Sequence, residues 1–542
     1  MRALLHLFLW TTVLNLSAAT VTSDRERLRS LLSLPRFTSQ FGFGISSRDG
    51  LKLFGDENDP AEAIARLTKN LTGQTSDGPG YLELARAYDR LHEHGLGSNS
   101  LARAVALGRR LLEQKPDDAS ALRELAAALD WGDQHEEAET LLRRAVKVAP
   151  EDWRGHAALG LYLCDRAGAS LFRDSNKDAS LQFMLALAGR SKLSAAAADR
   201  CRELLSEGGE EVDTAIRIAP NDADARMARI KSRGVTELLR LFIRIGQGQE
   251  PTPSDLVQAV APITSLPDLR RAMEIRPEDP RLAAIGAYFE VLIVAGNRGL
   301  RSFDELLNGN FYQSLSDSEQ RALRNRLHRL ENLGQSPNPA VAAVALQHLG
   351  GLQLVIMRDF TGAESNLRRA VALDPKRTAA WDGLLALMTM RDNHEAEFLA
   401  VSEELIKAKP DSRSFVILAK ACERAGKMER ALSAAEHAVR ADTNSFLTSH
   451  TLGVIMAMSA QNDDQLDRAL EQLRRTSKRI TRYTPGEDTA QFFANAAGCC
   501  GLHGDFEEGL KLAQEARKFD PKDKDAEEIE TILKRMCTTG KP

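Results

Sequence analysis

An all-helical solenoid of stacked antiparallel helix pairs is the fold class this sequence predicts, and three observations predict it. First, an alanine is followed five residues later by a proline at Ala145/Pro150, Ala215/Pro220, Ala272/Pro277, Ala370/Pro375 and Ala516/Pro521, and Leu111/Pro116 and Leu405/Pro410 repeat the frame with leucine. Second, the prolines are periodic. Pro116 to Pro150 is 34 residues, Pro150 to Pro220 is 70, and Pro375 to Pro410 is 35, and 34 is the period of a helix–turn–helix repeat. Third, 43 % of the chain is hydrophobic but only 5 % aromatic, the alanine- and leucine-rich mix of helices packed at close range. At 542 residues the chain has length for one or two long arrays in which each unit contacts only its neighbours.

The residues between the prolines fill in the unit. Before Pro150, Leu122, Leu125, Ala126 and Leu129 share one face of a first helix, and Ala138, Leu142 and Ala145 share one face of a second. Before Pro375 the slots hold Gly350, Gly351 and Leu354, then Ala363, Leu367 and Ala370. Before Pro521 they hold Phe493, Ala496, Ala497 and Cys500, then Ala513 and Ala516. Large residues at i, i+3, i+4 and i+7 make a buried stripe. Small ones let two helices approach, and proline ends the second helix because it cannot continue it. With Trp381, Leu384 and Met388 in the first-helix positions of another unit, the pattern resembles the tetratricopeptide-repeat family over about 80–220 and 344–521. The unit closing at Asp442-Thr443 has lost its proline.

In order along the chain, residues 1–19 read as a signal peptide. Arg2 precedes an apolar run over 3–16, and Ser17-Ala18-Ala19 places small residues before an Ala19–Thr20 cleavage site. The run is short for a membrane span of about 20 residues. A secreted or periplasmic location follows from this reading; an uncleaved anchor or a fortuitously apolar start of a cytoplasmic chain are its rivals. Residues 282–296 are also too short and carry Glu290, which suits a buried repeat helix. Residues 20–79 form a linker and capping region, with a short charged helix over 24–34, an irregular stretch holding Phe37, Phe41 and Phe43, and a helix from about residue 60. An N-terminal array over 80–220 leads to a helical but aperiodic region, 221–343. That region is read either as degenerate repeats or as a break, with the hinge at 334–339. The C-terminal array and tail occupy 344–542.

Chemistry has few candidates. The net charge of −4 offers no basic footprint for nucleic acid. Six cysteines in a chain this long make no disulfide framework, and Cys422 and Cys500 fall on core slots. Cys499, Cys500 and His503 are the one local metal-like cluster, but adjacent cysteines on a helix diverge and lack zinc spacing. His92-Glu93-His94 precedes a turn glycine without the spacing of a zinc hydrolase, and no nucleophile elbow or phosphate loop occurs. Carboxylates such as Asp117-Asp118 and Glu136-Glu137 suit helix N-termini. Asn70-Leu71-Thr72 matches a glycosylation triplet. No cofactor or catalytic residue is nominated.

What the family resemblance implies is binding. Its first helices line a concave groove for an extended peptide or partner helix, and the matching slots here hold Arg123 and Trp131, then His348, Leu352, Val355 and Ile356, then Lys420 and Arg424. The family's carboxylate clamp is not carried over, since Arg86, Ala127 and Lys420 occupy its slots without the asparagines. The expectation is a non-enzymatic scaffold binding a protein or peptide partner with an apolar anchor and acidic flanks. The alternative is an enzyme or regulator with its active region in 221–343.

Overall fold

The computed structural model describes residues 24–34, 43–46, 50–53, 80–82, 94–172, 193–249, 266–297, 311–390, 395–443, 445–480 and 486–539. The expected signal run, the glycosylation triplet and His92-Glu93 lie outside them. Two compact units divide the described chain. The larger holds the described residues between 43 and 387 except for 91–93. The C-terminal unit joins residues 24–34 to those from 388 onward.

In the larger unit a two-stranded antiparallel hairpin comes first, β1 (Phe43–Ser46) with β2 (Gly50–Leu53), in the register Phe43↔Leu53 to Ser46↔Gly50. It stands where the sequence predicts an irregular linker. Helices come after it: α2 (His94–Gln114), α3 (Ala119–Trp131), α4 (His135–Val148), α5 (Trp153–Phe172), α6 (Ala195–Ile218), α7 (Ala223–Gly246), α8 (Leu266–Ile275), α9 (Pro280–Asn297), α10 (Phe311–Ser314), α11 (Asp317–Leu333), α12 (Pro339–Leu352) and α13 (Phe360–Leu373). The pairs α3/α4, α5/α6, α7/α8, α9/α11 and α12/α13 pack as hairpins. Among the described residues of 223–333, where the sequence leaves two readings open, α7 packs on α8 and α9 on α11.

The acids after the prolines start the next helix. Asp118 accepts hydrogen bonds from the Ser120 and Ala121 amides, and Asp222 does the same for Asp224 and Ala225, satisfying first-turn donors that a helix leaves orphaned. Small residues then set the approach. Ala138, Ala145, Ala363 and Ala370 are buried. A β-carbon on Gly160 of α5 would lie 2.6 Å from the Gly208 carbonyl oxygen of α6, so backbone meets backbone with no room for a side chain. In the aperiodic region Asp268 is buried and ion-paired with Arg226, Arg229 and Arg233, all on α7, which ties α8 to α7 by charge where the alanine pattern is weak.

The units part inside α14 (Thr378–Met390), after Leu387, rather than at 334–339. Gly334 closes α11 tightly onto α12, where an added β-carbon would come within 2.7 Å of Leu346. That glycine permits the close packing of the two helices. Residues Pro339–Met357 are long and apolar enough to cross a membrane by length and composition, but 78 % of that stretch is buried.

The C-terminal unit opens with α1 (Asp24–Leu31) and resumes with α15 (Glu395–Ala408), α16 (Ser412–Arg424), α17 (Met428–Ala441), α18 (Phe446–Ser459), α19 (Asp463–Ser477), α20 (Gly486–His503), α21 (Phe506–Phe519) and α22 (Lys524–Thr539). Helices α16/α17, α18/α19 and α20/α21 pair, and α22 caps the last pair. The unit that lost its proline still ends its second helix at Ala441, so Asp442 suffices as a stop. Cys422, Cys499 and Cys500 are buried free thiols, as are Cys164 and Cys201 of the larger unit, and Cys537 is exposed. Burial pushes Cys499 and Cys500 up to about 12, which leaves them uncharged packing groups.

Candidate functional site: the inner face of the first helices

The expected groove residues separate into two kinds. His348, Leu352, Val355 and Ile356 are all buried, and this corrects their assignment as a surface anchor. Residues Gln353–Met357 form a π turn ended by Arg358 in the left-handed region at φ 54°. Residues 342–352 ahead of the turn are buried without a break, so the helix is covered on every side, and Leu354, Val355 and Ile356 within the turn are buried with them. Helices α9 and α11 pack on α12, and α10 packs on the π turn. Burial, with Arg377 and Arg281 nearby, holds His348 down to about 4.

The others keep a polar tip near water. Arg123 pairs with Asp152 at 2.5 Å between α3 and the start of α5, and half-buried Trp131 packs with Leu101, Ala128 and Leu82. On α16, Lys420 is half-buried and Arg424 exposed, with the Arg424 guanidinium 5.5 Å from the Phe398 ring centre. Burial raises the neighbouring Glu423 carboxyl against the pull of these two cations.

A more developed site lies on α20. Its sequence presents two faces. Ala497 and Cys500 meet α21, where a β-carbon on Gly509 would touch the Ala497 carbonyl and Cys500. Gln491, Asn495, Gly498 and Leu502 recur three to four residues apart on another face, and there residues 24–34 are seated. Leu28 and Leu32 are buried. They fit because Gly501 and Gly498 lack side chains: β-carbons there would come 2.6 Å from Leu28 and 2.9 Å from Leu32.

Polar contacts surround that apolar pair. The Asn495 side chain holds the backbone of Ser33 from both sides. Its Oδ1 accepts from the Ser33 amide at 3.0 Å, and its Nδ2 donates to the Ser33 carbonyl at 2.8 Å. Gln491 Nε2 donates to Ser33 Oγ at 2.8 Å and to the Leu34 carbonyl at 3.1 Å. Behind the clamp, Asn495 Nδ2 lies 3.1 Å from His450 Nε2, so that nitrogen must be the acceptor and the imidazole neutral. Burial holds His450 down to about 3, which keeps it so at neutral pH and fixes the amide orientation.

Three arginines complete the seat. Arg25 donates to the Leu502 carbonyl through Nε and Nη2 at 3.1 and 2.6 Å, and Arg29 donates to the Ala460 carbonyl at 2.8 Å. Those carbonyls close α20 and α18, where unsatisfied acceptors and the helix dipole favour a cation. Arg27 makes a paired contact with Glu528 of α22 at 2.5 and 2.8 Å, and Arg535 returns one to Asp24 at 2.8 Å. Sequence reasoning finds a charged helix over 24–34 and misses its destination. The available signal was four leucines in a segment, 24–34, too short to pack on itself.

Stacked helix pairs define a helical-repeat solenoid. Residues 96–162 match the tetratricopeptide-repeat family, so that stretch of the chain carries tetratricopeptide repeats. No curated protein matches the chain by sequence. Among solved structures it is similar to yeast Tom70, at 14 % identity and a TM-score of 0.36, covering 89 % of this chain and 93 % of that one. It is also similar to the Cut9–Hcn1 hetero-tetramer of the APC/C, at 12 % and 0.32, covering 87 % and 92 %. For YrrB, described as a TPR protein with an unusual peptide-binding site, the values are 19 % and 0.27, covering 35 % and 92 %.

Proposed function

We propose that this protein is a non-enzymatic scaffold that binds protein segments on the inner faces of its first helices, with the C-terminal repeats as the working surface. One observation carries the reading: a stretch of polypeptide, residues 24–34, lies on α20 and is held by its backbone as well as its side chains. A surface that satisfies main-chain donors and acceptors in this way suits a peptide ligand rather than a small molecule. Lys420 and Arg424 on α16 supply cations at the edge of the same unit, and such rim charges act mainly on association rate. The apolar run over 3–16 and the small residues before Thr20 support an extracytoplasmic location for the processed chain.

Capture from the protein's own host with the chain beginning at Thr20 tests the scaffold reading. Lys420→Glu with Arg424→Glu should reduce capture of the same partner, most strongly at low salt, without changing the thermal melt. Undiminished capture by this folded variant would remove α16 from the binding surface. N-terminal sequencing of the natural protein tests the location, since recovery of an intact Met1 start in a cytosolic fraction contradicts it.

A further inference from the structure

We propose that residues 24–34 are an exchangeable internal ligand that keeps a specific peptide site on α18, α20 and α22 closed, and that the site takes arginine-flanked, leucine-anchored segments. This rests on the reading of the inner face as a protein-binding surface and specifies its ligand chemistry.

The seat differs from the packing within the repeats. Helices α20 and α21 bury Ala497, Cys500, Ala513 and Ala516 where they meet, on a different face of α20 from the one that α1 covers. An eight-residue helix does not hold itself together in water, where nucleation outweighs the few hydrogen bonds gained. It is helical here because it is seated. Its contacts are ones a separate peptide could make. Two leucines enter positions left open by Gly498 and Gly501. Arg25 and Arg29 reach helix-end carbonyls, and Arg27 reaches Glu528. The chain has left the helix at Ser33, where the Asn495 clamp holds backbone atoms and ignores side-chain identity.

The acceptors of the site, Asp463 (3.5 Å from Arg25), Glu528 and the Leu502 and Ala460 carbonyls, select positive charge. The ligand of this seat is therefore basic around its apolar anchor, whereas acidic flanks belong to a segment that meets Lys420 and Arg424 on α16. A tethered segment acts at an effective concentration on the order of millimolar. A competing segment must exceed that, so the site would open only to a tight or abundant partner.

The test uses the full chain from Thr20 and a fluorescein-labelled synthetic peptide of residues 24–34, read by anisotropy. Leu28→Asp with Leu32→Asp should unseat the internal segment and leave the repeats folded, and the peptide should then bind at least about ten-fold more tightly than to the unsubstituted chain. Arg25→Ala with Arg27→Ala, which introduces no new charge, should give a smaller gain of the same sign. Adding Asn495→Ala to the leucine variant should weaken the peptide at least about five-fold. Folded variants that bind the peptide no better than the parent would overturn the proposal. So would loss of cooperative melting in both variants, since the segment would then be part of the fold. Failure here leaves capture dependent on Lys420 and Arg424 untouched, so the two readings fail separately.

Discussion

The first-helix face is covered in both units, but by different means. Over α12 and its π turn in the larger unit, the cover is α9, α10 and α11, neighbours in the repeat fabric, and what lies beneath is Leu352, Leu354 and Ile356. Over α20 in the C-terminal unit, the cover is a segment hydrogen-bonded across 462 positions of sequence, and beneath it are glycines and amides. Burial by the fabric is apolar and shared among several helices. Burial by the 24–34 segment is narrow, rimmed by arginines and clamped through the backbone of Ser33 and Leu34. The comparison teaches that a buried inner face is not one state: the first kind is core, and the second has the form of a bound ligand.

The sharpest way to break this comparison is to put a charge under each cover. Leu352→Asp leaves a carboxylate without water or partner, at a cost of several kcal/mol, and the larger unit should lose its cooperative melt. Leu28→Asp should leave the C-terminal repeats helical. Equal unfolding by the two, followed by circular dichroism, would erase the distinction.

Crowding the helix crossings gives the next effect. Ala370 is fully buried, and Ala370→Leu should destabilise by roughly 1–3 kcal/mol. The exposed Lys376→Ala should stay within about 0.5 kcal/mol. Urea midpoints for the pair check the repeat frame, and matching values would place Ala370 off the crossing.

Acid should act on both covers. His348 and His450 are held down to about 4 and about 3 by burial, whereas the unfolded chain titrates near 6.5. The unfolded state therefore binds more protons below that value. Stability is full above pH about 6.5 and falls as pH drops toward 4 in the larger unit and 3 in the C-terminal one. Replacing either histidine with glutamine should remove up to about one proton from the uptake on unfolding, measured by the pH dependence of the urea midpoint. An unchanged slope would show that the histidine protonates in the folded state.

The smallest change expected is at the rim. Arg27 and Glu528 are about half exposed, and exposed ion pairs contribute about 0–1 kcal/mol. Arg27→Ala should shift the melt slightly while loosening the peptide seat. A large loss of global stability would mean the seat is core after all.

The sequence by itself determined the repeat. A proline that stops one helix and a nearby acid that caps the next are local chemistry, and alanines such as Ala145, Ala370 and Ala516 report close crossings because only small side chains fit them. Those signals survived even where a proline was missing, because the second helix before Asp442 needed only a stop. Tertiary structure alone decided which inner faces are free. Neighbouring helices cover α12 and the π turn at 353–357 on every side, which periodic counting cannot see, and that cover makes Leu352, Val355 and Ile356 core rather than groove. The destination of Leu28 and Leu32 was equally hidden, because an amphipathic segment states that it must be covered but not by what. Only the fold brings Asn495, Gly498 and Gly501 within reach of it, across most of the chain's length.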